Sequence, residues 1–465
     1  MKRLFRWLLV AAILAVAIAG IVFLPDLRYR KLANEYPQAL AAAKAAGIPT
    51  NAEEFAPAPI PDEENAAIEL KVAMELYDSD RSAISDRVNE IKKAVEDPSA
   101  TVPAPTPDMV QIMNICRTAA KKPKCQFTKD WSDPINTTFP EYAPLKNFAR
   151  MLDADMIIKA RAGQWDIVHE NALAVQKLAD FSASDQVLIG GLVSVAIKSI
   201  NYSSLVQIVD ESNAHPRILE IIEDVCAKNQ NIKPSHIFRG EAYMSMYAAE
   251  FAADKQRHKE FEEMMTGWGG MSDTSTYSSG TLIDKLKDLF SRSTDEETPR
   301  PRSFTARRAQ ATTLVQLTTE MYQPILQGDL RWEEAAKSLD YENRINNMQP
   351  SVENELAVYI FPMFDQAFLS FRVSELRAQL LETAVEIHRY HAAKGRFPKT
   401  GDIVLPTDPF SGKDLLLKSS ATGFQLYSVG ANGKDDGGIY KNPVSNRDID
   451  LVYQFRMPDT VFSGR

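Results

Sequence analysis

Apolar residues recur at helical spacing over residues 364–393, and this pattern limits the possible folds more than any other feature of the sequence. The stripe comprises Leu369, Val373, Leu376, Leu380, Ala384, Ile387 and His391. Intervals of three and four residues place these side chains on one face of a single long helix. Lys394 and Gly395 supply a cationic last turn and a glycine cap, so we expect the helix to end there. A helix with one apolar face needs a partner, and the segments that follow provide one.

Three short segments after this helix have the composition and alternation of β-strands. They comprise residues 415–418, 424–429 and 449–455. Because alternate strand residues point to one side, Phe424, Leu426 and Tyr453 would face the helix together. Residues 364–465 are therefore predicted to form an α+β module in which one long helix packs on a three-stranded antiparallel sheet.

Most of the sequence before this module, residues 63–363, has helical periodicity with short polar breaks. Antiparallel helix pairs of this kind resemble tetratricopeptide packing, but no repeat of about 34 residues can be aligned, so we predict an irregular helical array. A Gly-, Ser- and Thr-rich stretch followed by Pro-containing polar sequence predicts a flexible excursion at about 266–303. The predicted fold class is mainly α with a small C-terminal α+β module.

An apolar segment near the start of the chain determines the predicted compartment. Trp7–Leu24 contains 18 residues without a charge and follows a basic N-terminus. This length just spans a hydrocarbon core of about 30 Å. Residues 1–25 are therefore predicted to be a transmembrane anchor or a cleaved signal, with a linker over 26–62. The charged amino terminus favours the cytoplasmic side, which predicts a single-pass inner-membrane protein with a periplasmic bulk.

Net charge and cysteine content narrow the possible functions further. A formal charge of −9 argues against a nucleic-acid partner. Cys116 and Cys125 are nine residues apart and would form a disulfide in an oxidising compartment. Zinc binding by this pair is disfavoured because further ligands at zinc spacing are missing. The third cysteine, Cys226, is expected to be a small buried side chain.

Three motifs after the predicted helix occur in an order that indicates a family. Gly395–Pro398 has the sequence GRFP, Asp408–Phe410 has DPF, and Tyr427–Gly438 has YSVGANGKDDGG. Together with the helix, they resemble the globular domain of the major pseudopilin of type II secretion, and the resemblance covers about 365–465. It implies a part of an envelope assembly rather than an enzyme. The chain does not begin with the peptidase motif of pseudopilins, so polymerisation by their route is not implied, and its layout looks like that of a bacterial envelope protein.

An acidic loop in the module is the main candidate for a ligand site. Its side chains with hard oxygen donors are Asn432, Asp435, Asp436, Asp448 and Asp450. Oxygen donors of this kind suit calcium, which takes six to eight of them. The resemblance also implies calcium, because the corresponding loop binds it in secretion pseudopilins. The alternative is a solvated turn held by hydrogen bonds from Asn and Asp side chains to the backbone.

Two other pairs of residues can be interpreted either as a ligand site or as part of the packed structure. Arg239 and Glu241 interrupt a largely apolar helix and predict either a polar pocket in the array or an ion pair between helices. His388 and His391 are three residues apart and could share a metal ion. However, His391 falls on the apolar stripe, which favours packed histidines. The aromatic and Met-rich run 243–251 is interpreted as core rather than as a ligand groove.

These observations favour a non-catalytic, membrane-anchored envelope scaffold or interaction protein. Its expected partners are other envelope proteins, among them components of a type II secretion-like or pilus-like system. The alternative is a ligand-binding protein or hydrolase with its site in the helical array. An enclosed pocket with converging polar groups would favour the alternative, whereas exposed apolar patches would favour the scaffold.

Overall fold

The computed structural model describes residues 27–97, 99–134, 136–257, 260, 303–349, 351–361, 364–438 and 450–457. The chain forms two compact units, each built from separate stretches of sequence. The first unit consists of the chain up to Pro57 together with Asp130–Thr137 and Lys233–Gln366. The second unit consists of Ala58–Lys129, Thr138–Ile232 and the chain from Ala367 onward. The predicted anchor and nearly all of the predicted excursion lie outside the described residues.

The described helices and strands are numbered in chain order. The helices are α1 (Tyr36–Ala45), α2 (Ala52–Phe55), α3 (Ala67–Ser79), α4 (Arg81–Val95), α5 (Pro107–Ala119), α6 (Tyr142–Arg161), α7 (Trp165–Ser182), α8 (Leu188–Glu211), α9 (Pro216–Ala227), α10 (Pro234–Ala253), α11 (Phe304–Gln327), α12 (Trp332–Leu339), α13 (Glu355–Ile360) and α14 (Asp365–Lys394). The strands are β1 (Leu416–Ser419), β2 (Gly423–Ser428) and β3 (Leu451–Arg456). Residues 27–34, ahead of α1, are also helical.

The first unit is centred on α10 and α11, which pack against each other, and α1 packs on α11. Ala242, Ala249 and Ala309 are fully buried in these helices, and side chains this small allow close helix packing. An aromatic cluster fills the rest of the core. The Phe238 ring lies 5.3 Å from that of Tyr322 and 5.1 Å from that of Phe364.

The second unit contains a bundle in which α6, α7 and α8 each contact the other two. Within the described part of the chain, α8 is the one helix long and apolar enough to cross a membrane. However, 61% of its apolar window is buried inside the fold. Its apolar composition is therefore accounted for by its place in the core of the bundle.

The end of the second unit has the predicted α+β architecture. Helix α14 has 30 residues and ends at Lys394, and Gly395 follows in the left-handed conformation at φ 68°. The sheet has the order β1-β2-β3 with antiparallel pairing, and Leu426 lies opposite Tyr453. The predicted fold class, mainly α with a small α+β module, is confirmed.

The α+β module belongs to the same compact unit as the helices from α3 to α9. Leu376, Leu380 and Ile387 of the α14 stripe are buried in one hydrophobic cluster with residues of those helices. The Arg377 guanidinium also donates a hydrogen bond to Ser199 Oγ of α8 at 2.5 Å. The predicted division into 63–363 and 364–465 therefore differs from the structure, because the apolar stripe of α14 packs against helices that were assigned to the other domain.

Candidate functional sites

The acidic loop after β2 is held in place by Asp450, which directly precedes β3. The buried Asp450 carboxylate accepts hydrogen bonds from the backbone N–H of Asp436 at 3.2 Å and of Gly438 at 2.7 Å. The Asn432 side-chain amide donates to Asp436 Oδ2 at 2.9 Å. The structure thus links three of the predicted calcium ligands through one hydrogen-bond network.

The same loop contains the turns of the alternative interpretation. Asp435 Oδ1 accepts from the backbone N–H of Gly437, and Asn432 Oδ1 accepts from that of Lys434, both at 2.9 Å. These are side chain-to-backbone bonds of the Asx type. No group of three His, Cys, Asp or Glu side chains with a metal-site arrangement occurs among the described residues. Asp448 lies outside them, and calcium binding stays a prediction.

Asp408, in the DPF motif, has a structural role that sequence reasoning missed. Asp408 is 1% exposed. It accepts hydrogen bonds from Ser428 Oγ at 2.7 Å, Val429 N at 3.2 Å, Phe410 N at 2.9 Å and Ser411 Oγ at 3.0 Å. Asp408 therefore joins the loop before β1 to the end of β2. An Asp just before Pro indicates a turn, but the contact with a strand 20 residues away has no local signal.

The two histidines of α14 are packed among aromatic rings. His388 is 5% exposed, and its ring lies 4.4 Å from that of Phe455 and 5.2 Å from that of Phe424. His391 stacks on Phe397 at 4.1 Å. This arrangement agrees with the interpretation as packed histidines. Burial, assisted by the nearby His391, lowers the pKa of His388 to about 4.

Because the folded protein holds His388 neutral, acid should destabilise the second unit through this residue. The unfolded chain takes up the proton near pH 6.5 and the folded chain only near pH 4. The stabilisation is fully present above pH 6.5 and falls by about 3 kcal/mol as the pH drops toward 4. We expect His388→Leu to remove this loss, measured by urea unfolding at several pH values.

The comparison between wild type and His388→Leu is necessary because other groups titrate in the same range. Burial raises the pKa of Asp180 and of Asp185 to about 6 each. A carboxyl group with a raised pKa makes the folded state more stable as the pH falls, which opposes the His388 effect. If the free energy of unfolding changed with pH in the same way in wild type and His388→Leu, the role given to His388 would be contradicted.

Cys116 of α5 and Cys125 in the following loop are free thiols, so the predicted disulfide is absent from the structure. Both lie in the hydrophobic core of the second unit. Burial raises the pKa of the Cys116 thiol to about 12 and also raises that of Cys125. Because the thiolate is the form that reacts, thiols buried in this way oxidise slowly. Cys226 is half-buried, slightly less enclosed than predicted.

Arg239 and Glu241 are half-buried on α10. The Arg239 guanidinium donates a short hydrogen bond to the backbone carbonyl of Glu54 at the end of α2. A cleft of about 230 Å³ lies further along α10, and neither residue of the predicted polar pocket lines it. Tyr243 and Phe251 line this cleft but are only 2% and 6% exposed, so the run 243–251 belongs mainly to the core, as the sequence indicated.

A buried charged cluster in the second unit was also missed. The side chains of Lys129 and Glu141 are 4% and 3% exposed, and their Nζ and Oε1 atoms are 2.6 Å apart. The Tyr142 hydroxyl donates to Asp185 Oδ2 at 2.9 Å. Burial raises the pKa of Asp185 to about 6, and the positive charge of Lys129 opposes this shift. Gly190 leaves room for the tyrosine, because a Cβ there would lie 2.6 Å from its hydroxyl.

Comparisons with protein-family models, with curated proteins and with solved structures find no match for this chain.

Proposed function

We propose that the protein is a membrane-anchored envelope scaffold that binds other envelope proteins, among them components of a secretion-like or pilus-like system. The observation that supports this proposal is an apolar surface on the second unit. Ile68 and Val72 lie one turn apart on α3 and are 42% and 47% exposed. Val110 on α5, which packs against α3, is 41% exposed. Exposed apolar side chains one turn apart on a helix, as Ile68 and Val72 are, are typical of surfaces that bind a partner. The helix-and-sheet module is the second support, since the pseudopilin resemblance implies this arrangement.

The proposal is tested by recovering the tagged full-length protein from detergent-solubilised native membranes and identifying its partners by mass spectrometry. We expect secretion-like or pilus-like envelope components to be recovered with the wild type. The double variant Ile68→Asp/Val72→Asp should lose them, because a charge on each position opposes apolar docking. The matched control is Glu90→Ala/Lys93→Ala, two exposed charged residues of the next helix, α4, away from Ile68 and Val72.

Two results of this experiment would contradict the scaffold role. One is recovery of the same proteins with wild type and Ile68→Asp/Val72→Asp. The other is a wild-type sample that contains no envelope protein above the background of an untagged strain. Circular dichroism of the purified variants shows whether the helical fold is retained, so that loss of binding can be separated from unfolding.

We also propose that the acidic loop binds calcium. The described candidates Asn432, Asp435, Asp436 and Asp450 offer only oxygen donors, and this donor set fits a hard cation. Bound calcium would draw the carboxylates of the loop together, neutralise them and stabilise the loop next to β3. A ligand that binds the folded state alone stabilises it, by about 2.7 kcal/mol at a concentration of 100 Kd.

Calcium is therefore expected to raise the melting temperature of the wild-type protein, and a chelator should reverse the shift. Asp435→Asn should abolish the response, because it removes a charge while keeping the oxygen that accepts from Gly437. Asp414→Asn is the matched control, since Asp414 is an exposed carboxylate elsewhere in the module. An equal melting temperature with calcium and with chelator would remove calcium from the proposal.

A further inference from the structure

The cleft of the first unit has an aromatic wall supplied by one face of α10. Tyr243, Tyr247 and Phe251 follow one another at intervals of four residues, so they lie on the same side of the helix. The rings of Tyr247 and Phe251 are stacked with centroids 6.1 Å apart. The ring of Phe55 stacks on that of Tyr243 with centroids 4.8 Å apart. The wall is therefore held in place by packing.

A cation already lies on this wall. The Arg257 guanidinium carbon is 3.9 Å from the centroid of Phe251 and 5.8 Å from that of Tyr247. Arg257 also donates to Tyr247 Oη at 3.4 Å and pairs with Glu260 at 3.0 Å. The electron-rich faces of these rings attract cations, and the geometry shows that a guanidinium group fits against them.

The charges around the cleft are mainly negative. Glu250 lines the cleft, is exposed, and its carboxylate makes no hydrogen bond or ion pair within the described residues. Asp133 Oδ1 accepts a hydrogen bond from the Tyr247 hydroxyl at 3.1 Å. Burial, followed by the nearby Tyr247 and by the negative charges of Glu250, Asp130 and Asp133, raises the pKa of Tyr243 to about 12. Glu260 pairs with Arg257, and Arg308, which acts together with Glu250 on the Tyr36 hydroxyl, is another nearby cation. The carboxylates of Glu250, Asp130 and Asp133 outnumber it, so the net field favours a positively charged ligand.

The size of the cleft limits what can enter. A volume of about 230 Å³ is smaller than the roughly 300–1,000 Å³ typical of sites for drug-sized ligands. It is enough for one terminal group on a short alkyl chain. A carboxylate beside aromatic rings on one helix face provides both a counter-charge and a cation–π surface for an organic cation.

We propose that this cleft binds an organic cation, an ammonium or guanidinium group at the end of a flexible alkyl chain. The cation would pair with Glu250 and lie against the half-buried ring of Tyr247. Either a free polyamine or the basic side chain of a peptide supplies this chemistry. The proposal goes beyond the scaffold role and does not depend on it, because the scaffold proposal uses the surface of α3 and α5.

The test is calorimetric titration of the full-length protein with four probes. Agmatine and cadaverine present a guanidinium and an ammonium group, 1,5-pentanediol is the uncharged analogue, and a short peptide amide with one central lysine represents the peptide source. We expect saturable binding of the cations and none of the diol. Tighter binding of the peptide than of cadaverine assigns the site to peptide side chains, and the reverse order assigns it to free amines.

Substitutions of single residues test which side chains contact the bound cation. Glu250→Gln should weaken binding of the cations by about tenfold or more, which corresponds to loss of one close charge pair. Arg257→Gln should strengthen it, because the cation that now occupies the aromatic wall is removed. Glu320→Gln, an exposed carboxylate of α11 outside the cleft, is the matched control and should leave affinity unchanged.

Three outcomes would overturn the proposal. They are the absence of saturable binding by either cation, equal binding of the diol, and unchanged affinity in Glu250→Gln. Glu250 is exposed, so its replacement by the isosteric glutamine should not affect folding, and an unchanged melting temperature verifies this. Failure of these titrations would leave the membrane pull-down result unaffected, so the two proposals are judged separately.

Discussion

Asp408→Ala is expected to lower the free energy of unfolding of the second unit by about 3–5 kcal/mol. The Asp408 carboxylate accepts four hydrogen bonds, two of them from Ser428 and Val429 at the end of β2. Alanine would leave these buried donors without an acceptor, and each unsatisfied donor costs about 1–3 kcal/mol. The loop before β1 would then lose its attachment to the sheet.

Urea unfolding measures the total effect, and hydrogen exchange of a peptide that covers β2 locates it. Asp408→Asn keeps one acceptor oxygen and should lose about half as much stability. Asp414→Ala changes an exposed carboxylate of the same loop and should stay within about 0.5 kcal/mol of wild type. If Asp408→Ala and Asp414→Ala were equally stable, Asp408 would not join the loop to the sheet.

Lys129→Met should have an effect of similar size, about 3–5 kcal/mol. The Lys129 ammonium is held by Glu141 Oε1 at 2.6 Å, by the Thr138 carbonyl at 3.1 Å and by the Phe139 ring at 4.6 Å. Its removal leaves the Glu141 carboxylate buried without a counter-charge. It also removes the positive charge that opposes the raised pKa of Asp185. Urea unfolding at neutral pH measures the loss.

A double variant shows whether the loss comes from the unpaired charge. Lys129→Met/Glu141→Met replaces both partners and should be more stable than Lys129→Met alone, because buried ion pairs are often replaceable by apolar side chains. Lys124→Met is the matched control. Its pair with Glu64 has a similar distance of 2.9 Å, but the side chains are 57% and 42% exposed. An exposed pair contributes at most about 1 kcal/mol, so a large loss at Lys124 would contradict this interpretation.

The sequence predicted the parts of the fold that follow from local periodicity. The α14 stripe and the alternation of Phe424 and Leu426 predicted a long helix and an antiparallel sheet, since spacing along the chain determines which face is apolar. The end of α14 was predicted at Lys394, where Gly395 can adopt the left-handed conformation. Periodicity does not identify the partner of an apolar face, so the packing of α14 against the earlier helices was missed.

The candidate sites were predictable only where their residues are close in sequence. Asn432, Asp436 and Asp450 belong to neighbouring segments, and the structure joins them by hydrogen bonds. Lys129 and Asp185 lie 56 residues apart and meet because α6 and α7 bring two loops together. The cleft contains Arg257 and Glu250, but Asn51 and Ser132, which also line it, come from distant segments of the chain. A pattern within one segment does not predict contacts between residues of different segments.

The first unit is built from stretches that are far apart in sequence, and this affects how it folds during synthesis. Tyr36, Ala39 and Ala43 of α1 are buried, and α1 packs on α11, which begins at Phe304. The ribosome therefore has to synthesise more than two hundred further residues before α1 meets its partner, which at about 5–20 residues per second takes at least ten seconds. During this interval the apolar face of α1 has no partner within the chain, and we expect chaperones to bind it. A chain arrested before Phe304 should consequently be degraded faster than the full-length protein, even though most of its helices are already present.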